Sequence, residues 1–226
     1  MRFSTTSKER TNGIKILVYG SAGSGKTYLC STAPNPLIIS NEAGLITLQE
    51  FDIPVIVVET INDLYKAYDF ITTDKKGTQF DTYCFDSLSE ISEVILANEK
   101  SKVRDKRQAY GELAEQTVKI VKMFRDIRGK NVYFTAKEKK VIDAITETVW
   151  IGPSFPGTQL SQQIPYLCDN VFHLSIIRKN GKNIRRLLTQ KDYNYEAKAR
   201  DPRGALLEYE KPNLSEIFRK LTEGAE

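Results

Sequence analysis

The feature that most constrains this chain is the turn Gly20-Ser21-Ala22-Gly23-Ser24-Gly25-Lys26-Thr27, set directly behind the apolar run Ile14-Lys15-Ile16-Leu17-Val18-Tyr19. It matches GxxxxGK[ST] in full, and its context predicts a buried strand before the turn and a helix after it. Glycines there admit backbone conformations in which successive N–H groups face one anion. The helix N-terminus behind them adds the positive end of its dipole. The chemistry implied is ATP with Mg²⁺: Lys26 is expected to reach the β- and γ-phosphates, and the Thr27 hydroxyl to ligate the metal. Tyr28, which follows, is counted with the loop as nucleotide-binding.

The rest of the chain alternates. Residues 36–40, 54–58, 82–86 and 131–135 read as strands rich in β-branched and aromatic residues. The 54–58 strand is almost wholly apolar, as for a strand covered on both faces. Between them lie helical patterns: a short one over 27–32 that stops before Pro34, then Leu64, Tyr68 and Ile71 behind a Thr60…Asp63 capping box. Ile91, Val94 and Ile95 mark the next. A longer helix carries Leu113, Val121, Phe124 and Ile127, with Gly129 as its stop. Residues 170–177 and 184–189 flank Asn180-Gly181, a hairpin signal. The pattern predicts an α/β fold, a mainly parallel sheet with helices on both faces and a β-rich C-terminal segment. One domain over 1–226 is expected, with a leader at 1–12 and a helical tail at about 212–226.

Composition narrows the class. A chain of 226 residues with 40% hydrophobic and 27% charged side chains has enough apolar material for a core. No apolar stretch approaches the roughly 18 residues of a membrane span, and the N-terminus has no signal-peptide core. A cytoplasmic location and no membrane partner are therefore expected. Cys30, Cys84 and Cys168 are far apart, which argues against a disulfide framework or zinc site and for core filling. The one histidine, His173, sits in an apolar run and reads as structural, so mechanisms needing a histidine base are disfavoured. Net charge is +4, concentrated around residues 100–107, 137–140 and 178–186. Such runs are either solvated surface or a partner-binding face.

Two acids complete the chemistry. Asp86 closes an apolar strand, a Walker B arrangement in which the carboxylate serves Mg²⁺; the alternative is a helix N-cap. Glu42 follows the 37–40 strand at a sheet edge where catalytic groups cluster. In one branch of P-loop ATPases the water-activating glutamate comes from the strand after the P-loop helix. Residue 87 is serine, so Glu42 is the candidate base; its alternative is a turn carboxylate.

Residues 14–27, 37–42, 83–86 and 132–137 occur in the order and rough spacing of the RecA-like ATPase core, and the chain resembles the small phage RecA-like ATPases of single-strand annealing and recombination. The resemblance spans roughly residues 12–210; the segments 40–44 and 152–157 add to it. It implies that Glu42 orients the attacking water and that Lys137 stands where the family often carries a γ-phosphate sensor. A lysine there departs from the glutamine of bacterial RecA. Lys198 and Arg200, two apart, would project together as a basic pair acting on a neighbouring subunit's nucleotide, or form an exposed basic loop. The partners implied are single-stranded DNA, further copies of the chain in a ring or filament, and a single-strand-binding protein. A phage protein of this kind would work in the bacterial host cytosol.

DNA contact is expected on two loops. One carries Lys102, Arg104, Lys106 and Arg107 beside Tyr110; the other, over 138–165, carries Lys139 and Lys140 with Trp150 and Phe155 and has no clear periodicity. Cations for phosphates and aromatics for stacking are the recipe for single-strand binding, although Trp150 reads equally as a core anchor. Three rivals stand beside this reading: a small-molecule or nucleotide kinase, a non-hydrolysing ATP-gated scaffold, and a helicase-type motor.

Overall fold

The computed structural model describes residues 13–42 and 45–223. The leader at 1–12, Ala43-Gly44 of the 40–44 segment and the last residues of the tail lie outside the described residues.

Nine strands among the described residues form one sheet. They are β1 (Lys15–Gly20), β2 (Pro36–Ser40), β3 (Val55–Val57), β4 (Thr82–Asp86), β5 (Asn131–Ile142), β6 (Val149–Ser154), β7 (Asn170–Lys179), β8 (Lys182–Leu188) and β9 (Tyr209–Glu210). The order is β3-β2-β4-β5-β1-β7-β8-β9, with β6 paired to β5. From β3 to β7 every neighbouring pair is parallel; the β5–β6, β7–β8 and β8–β9 pairs are antiparallel. This is the mainly parallel α/β layout expected of a RecA-like core, with the β-rich segment at its C-terminal side.

Six helices join the described strands: α1 (Lys26–Leu29), α2 (Ile61–Thr73), α3 (Leu88–Lys102), α4 (Lys106–Arg125), α5 (Gln159–Leu167) and α6 (Leu214–Glu223). Side chains alternate across each strand. Leu17, Tyr19, Ile39, Phe85 and Phe134 therefore meet α2 to α5 on one face. Ile16, Val18, Ile38, Cys84 and Tyr133 meet Leu29 of α1 and Ile217 and Phe218 of α6 on the other. Each such large side chain, fully buried, contributes about 1.5–3 kcal/mol. The central strands are buried on both faces because the two clusters sandwich them.

Local signals explain the boundaries. Thr60 and Asp63 form the reciprocal capping box that starts α2, and Ser87 caps α3 through the Glu90 N–H. Asn180 and Gly181 take φ of 51° and 74°, the pair of left-handed residues that a tight hairpin needs. The three cysteines are free and buried. His173 is buried against Tyr195 and hydrogen-bonded to Glu138.

Four expectations are corrected. The strand over 54–58 is not covered on both faces: β3 is the sheet's outermost strand, and Val57 is 66% exposed. The 27–32 helix is a single turn, α1, continued by a tighter 3-10 turn at Cys30–Thr32. Residues 138–165 are no aperiodic loop: β5 runs on through Ile142 and folds back as β6, and α5 follows. The two-stranded ribbon is exposed toward its tip, so no buried face imposes a period of two and the strand signal is hidden. Residues 100–107 are likewise a corner between two helices, in which only Val103, Arg104 and Asp105 are non-helical.

Candidate active site

Parallel pairing brings the carboxyl ends of β1, β2, β4 and β5 to one edge of the sheet, and the sequence-predicted residues meet there. Gly20, the last residue of β1, stands opposite Lys137 on β5; Ser40 of β2 stands opposite Asp86 of β4. β5 separates the P-loop strand from the strand carrying Asp86.

The P-loop wraps from Ser21 to Gly25. Gly23 and Gly25 take φ of 73° and 105°, conformations that L side chains rarely adopt, so the curl of N–H groups depends on glycine at both positions. Lys26 folds over the loop, donating from Nζ to the carbonyls of Gly20 (2.8 Å) and Ser21 (2.9 Å). Burial lowers its pKa, and the nearby Asp86, Glu42 and Glu138 pull the other way. Its ammonium is thus held within a largely acidic surround. The Tyr133 hydroxyl donates to the Lys26 carbonyl at 2.9 Å and ties α1 to the sheet. The Ser24 hydroxyl is buried and has no partner among the described residues.

Asp86 is 1% exposed. Its Oδ1 accepts a 2.6 Å hydrogen bond from the Thr135 hydroxyl, which fixes the carboxylate. Its Oδ2 is buried without a partner among the described residues. An orphaned carboxylate oxygen in a protein interior costs on the order of 1–3 kcal/mol or more, so its persistence marks a place for a cation or its water. The Ser40 hydroxyl donates to the Asp86 carbonyl at 2.6 Å, locking β2 to β4 at this edge.

Glu42 lies just past β2, with its N–H donating to Ser40 Oγ at 3.0 Å. Burial raises its carboxyl pKa, as does the charge of Asp86, while a hydrogen bond from Ser87 opposes the rise. Lys137 forms an ion pair with Glu90 of α3, which raises its pKa, and donates its backbone N–H to Ser89 Oγ at 3.0 Å. The edge therefore gathers Glu42, Asp86, Glu90 and Glu138 around two lysines, Lys26 and Lys137.

Other predicted residues are not brought here. Lys198 bridges to Val171 through backbone hydrogen bonds and places its ammonium 5.9 Å from the centre of the Tyr166 ring. Arg200 pairs with Asp169 at 2.7 Å. Arg200 lies at the opposite, amino edge of the sheet from its own P-loop, and Lys198 lies level with the middle of β1, lining a cavity with Lys139 and Trp150 of the β5–β6 ribbon. Lys102 pairs with Glu99 at 2.8 Å; Arg104, Lys106 and Arg107 are exposed at the α3–α4 corner. Lys139 and Lys140 lie on the β5–β6 ribbon, with Lys139 Nζ 5.9 Å from the Trp150 ring centre. Trp150 is half-buried: its ring covers Gly152 and its indole N–H points to Glu196.

Four contributors escaped the sequence reading. Thr135 orients Asp86, Ser87 hydrogen-bonds Glu42, Glu90 holds Lys137, and Arg185 of β8 touches the P-loop. Ser87-x-x-Glu90 is itself a capping-box pattern that marks the start of α3. A hydroxyl inside the apolar run of β5 was the signal for Thr135. For Arg185 the linear sequence holds no signal.

No described helix is long and apolar enough to cross a membrane, and the described residues hold no His/Cys/Asp/Glu cluster that could bind a metal by itself. The profile of a protein family described as AAA domain matches residues 12–200. A search of curated proteins finds no significant match. Among solved structures, the chain is similar to a KaiC-like protein of the hyperthermophilic archaeon Pyrococcus horikoshii OT3. The two are 16% identical over 80% of this chain and 79% of the other, with a TM-score of 0.48.

Proposed function

The chain belongs to the AAA domain family, an ATPase-type P-loop domain, and on that premise we propose that it binds and hydrolyses ATP to control its hold on single-stranded DNA during annealing or recombination. The observation that carries the ATPase part is the buried Asp86 carboxylate, held through one oxygen by Thr135 and unpartnered at the other, at the same sheet edge as the P-loop.

Thr27 and Asp86 are the residues that would hold Mg²⁺, and the orphaned Oδ2 fits that use. When bound, the metal would draw charge from the β- and γ-phosphates. The loop N–H groups and Lys26 bind the phosphates, and Lys26 must leave the Gly20 and Ser21 carbonyls to do so. Glu42 is the general base: it orients a water and takes its proton, and its raised pKa brings it nearer the operating range for that task. Lys137 senses the γ-phosphate by exchanging Glu90 for it. As oligomer contacts, Lys198 and Arg200 would act on a neighbour's nucleotide, with Arg200 released from Asp169.

The DNA part rests on the family resemblance and on charge. Lys139 and Lys140 of the β5–β6 ribbon, with Trp150, support it best, because β5 also carries Lys137 and so links the ribbon to the nucleotide edge. The α3–α4 corner (Arg104, Lys106, Arg107) supports it as a second contact, and Lys102 least, being paired. A homo-oligomer and a single-strand-binding protein remain the proposed partners, in the cytoplasm of a bacterial host.

Phosphate release measured with and without single-stranded DNA across a salt series tests the reading. Stimulation that fades steeply with salt is expected, since phosphate contacts release counterions. ATP turnover with no DNA binding at low salt, and phosphate passed to a small acceptor, would favour a kinase instead.

A further inference from the structure

Arg185 comes from β8, two strands away from β1, yet it reaches the P-loop. Its Nε–H donates to the Ser24 carbonyl at 2.9 Å. A Cβ placed on Gly25 would stand 3.0 Å from Nε and 3.1 Å from Cδ, so the arginine lies directly on that glycine. With Lys26, Thr27, Tyr28 and Thr47 it lines a cavity of about 310 Å³ on the open side of the loop. The Nε contact uses one of five guanidinium donors, and the terminal N–H groups have no protein acceptor among the described residues. An exposed arginine on a hairpin ordinarily points to water; this one is anchored by its inner nitrogen and lines a cavity beside an anion cradle.

We propose that Arg185 is a nucleotide-binding residue supplied from β8. Its Nε–H holds the loop in shape through Ser24, and its terminal N–H groups bind the phosphate nearest the nucleoside. Lys26 and Thr27 face the β- and γ-phosphates, and Arg185 approaches the loop at Gly25 from the cavity side, which leaves it the α-phosphate. A planar guanidinium is matched to two phosphate oxygens in a way that an ammonium is not. Because ADP and ATP share the α-phosphate, Arg185 sets affinity for both and does not distinguish them. The inference rests on the ATP-binding reading above.

The test is titration of fluorescent ADP and ATP analogues into the full chain and its variants, with the melting temperature of each nucleotide-free protein measured alongside. Arg185→Ala is expected to raise Kd for both nucleotides by about tenfold, the worth of a charge-assisted contact, and by the same factor. Arg185→Lys recovers only part of the loss, and Lys182→Ala on the same hairpin leaves affinity unchanged. The nucleotide-free Arg185→Ala protein melts within about 2–4 °C of the wild type, the cost of the one Ser24 contact. Wild-type affinity in Arg185→Ala, full rescue by lysine, or a loss confined to ATP would each overturn the proposal. A wild-type chain that binds neither nucleotide would overturn the ATP reading itself, and Arg185's role with it.

Discussion

The two edges of the sheet are built from the same strands and treat polar groups in opposite ways. At the amino edge every polar group named here is satisfied. Lys15 Nζ donates to the carbonyls of Gly13 and Lys130; Asn131 Oδ1 accepts from the Ile14 N–H. Asn170 Oδ1 accepts from the Arg200 N–H, and Asp169 takes both the Lys15 N–H and the Arg200 guanidinium. At the carboxyl edge Asp86 Oδ2 and Ser24 Oγ are buried and unpartnered among the described residues, and acids crowd one another. A satisfied edge stabilises the fold, whereas an unsatisfied one is shaped for something the protein does not itself supply. The difference identifies which end of the sheet does chemistry without reference to the P-loop motif.

That contrast makes predictions that separate activity from stability. The largest effect is at Glu42: Glu42→Gln is expected to lower kcat by about 10²–10⁴-fold, the worth of a general base, while ATP affinity and melting temperature hold. Single-turnover phosphate release with bound ATP measures it; an unchanged rate would remove Glu42 as the base. Next is Thr135→Val, which strips Asp86 Oδ1 of its only side-chain donor among the described residues and leaves the carboxylate free to turn. It should cost about 1–3 kcal/mol of stability and also weaken Mg²⁺-dependent ATP binding, read by denaturant unfolding and by titration.

For Asn131 at the amino edge only stability should respond. Asn131→Ala leaves the Ile14 N–H without its acceptor and should cost about 1–3 kcal/mol, with nucleotide affinity unchanged. A matching loss of affinity would mean that the edges are coupled.

The edges also differ in pH response. Burial lowers the Lys15 pKa to about 8, below its unfolded value, so the unfolded chain binds more protons between about pH 8 and 10.5. Lys15 therefore makes stability rise with pH across that window, and its full cost is present, and no longer changes with pH, below about pH 8. Lys15→Met should flatten the slope in urea unfolding. Glu42 has a raised pKa and must be ionised to act, so the acid limb of the ATPase profile should lie above that of an ordinary carboxylate. The smallest effect concerns DNA: Lys140→Ala should reduce the salt slope of single-strand binding by about one unit, and the paired Lys102→Ala by less.

The strands around the site were legible because burial on both faces imposes near-continuous apolar runs, and β1, β2 and β4 fall where those runs do. The Walker residues were legible for a local reason, since GxxxxGK[ST] satisfies its geometry within eight residues. β3 misled because an apolar run does not distinguish a covered strand from an edge one. The β5–β6 ribbon within 138–165 misled because an exposed hairpin has no core face to impose alternation. The basic run at 100–107 misled differently: charge density was visible, but not that two helix ends and a Lys102–Glu99 pair consume much of it.

By itself, the sequence determined the phosphate loop, the elements on either side of it and the acids at the strand ends, because each depends on neighbours within a few residues. Only the tertiary structure decided what surrounds them. Thr135 comes to Asp86 across 49 positions, Lys137 pairs with Glu90 from another element, and Arg185 crosses 161 positions to Ser24. Those meetings follow from strand order and register, which are set by how the whole sheet packs, and no local pattern carries that information.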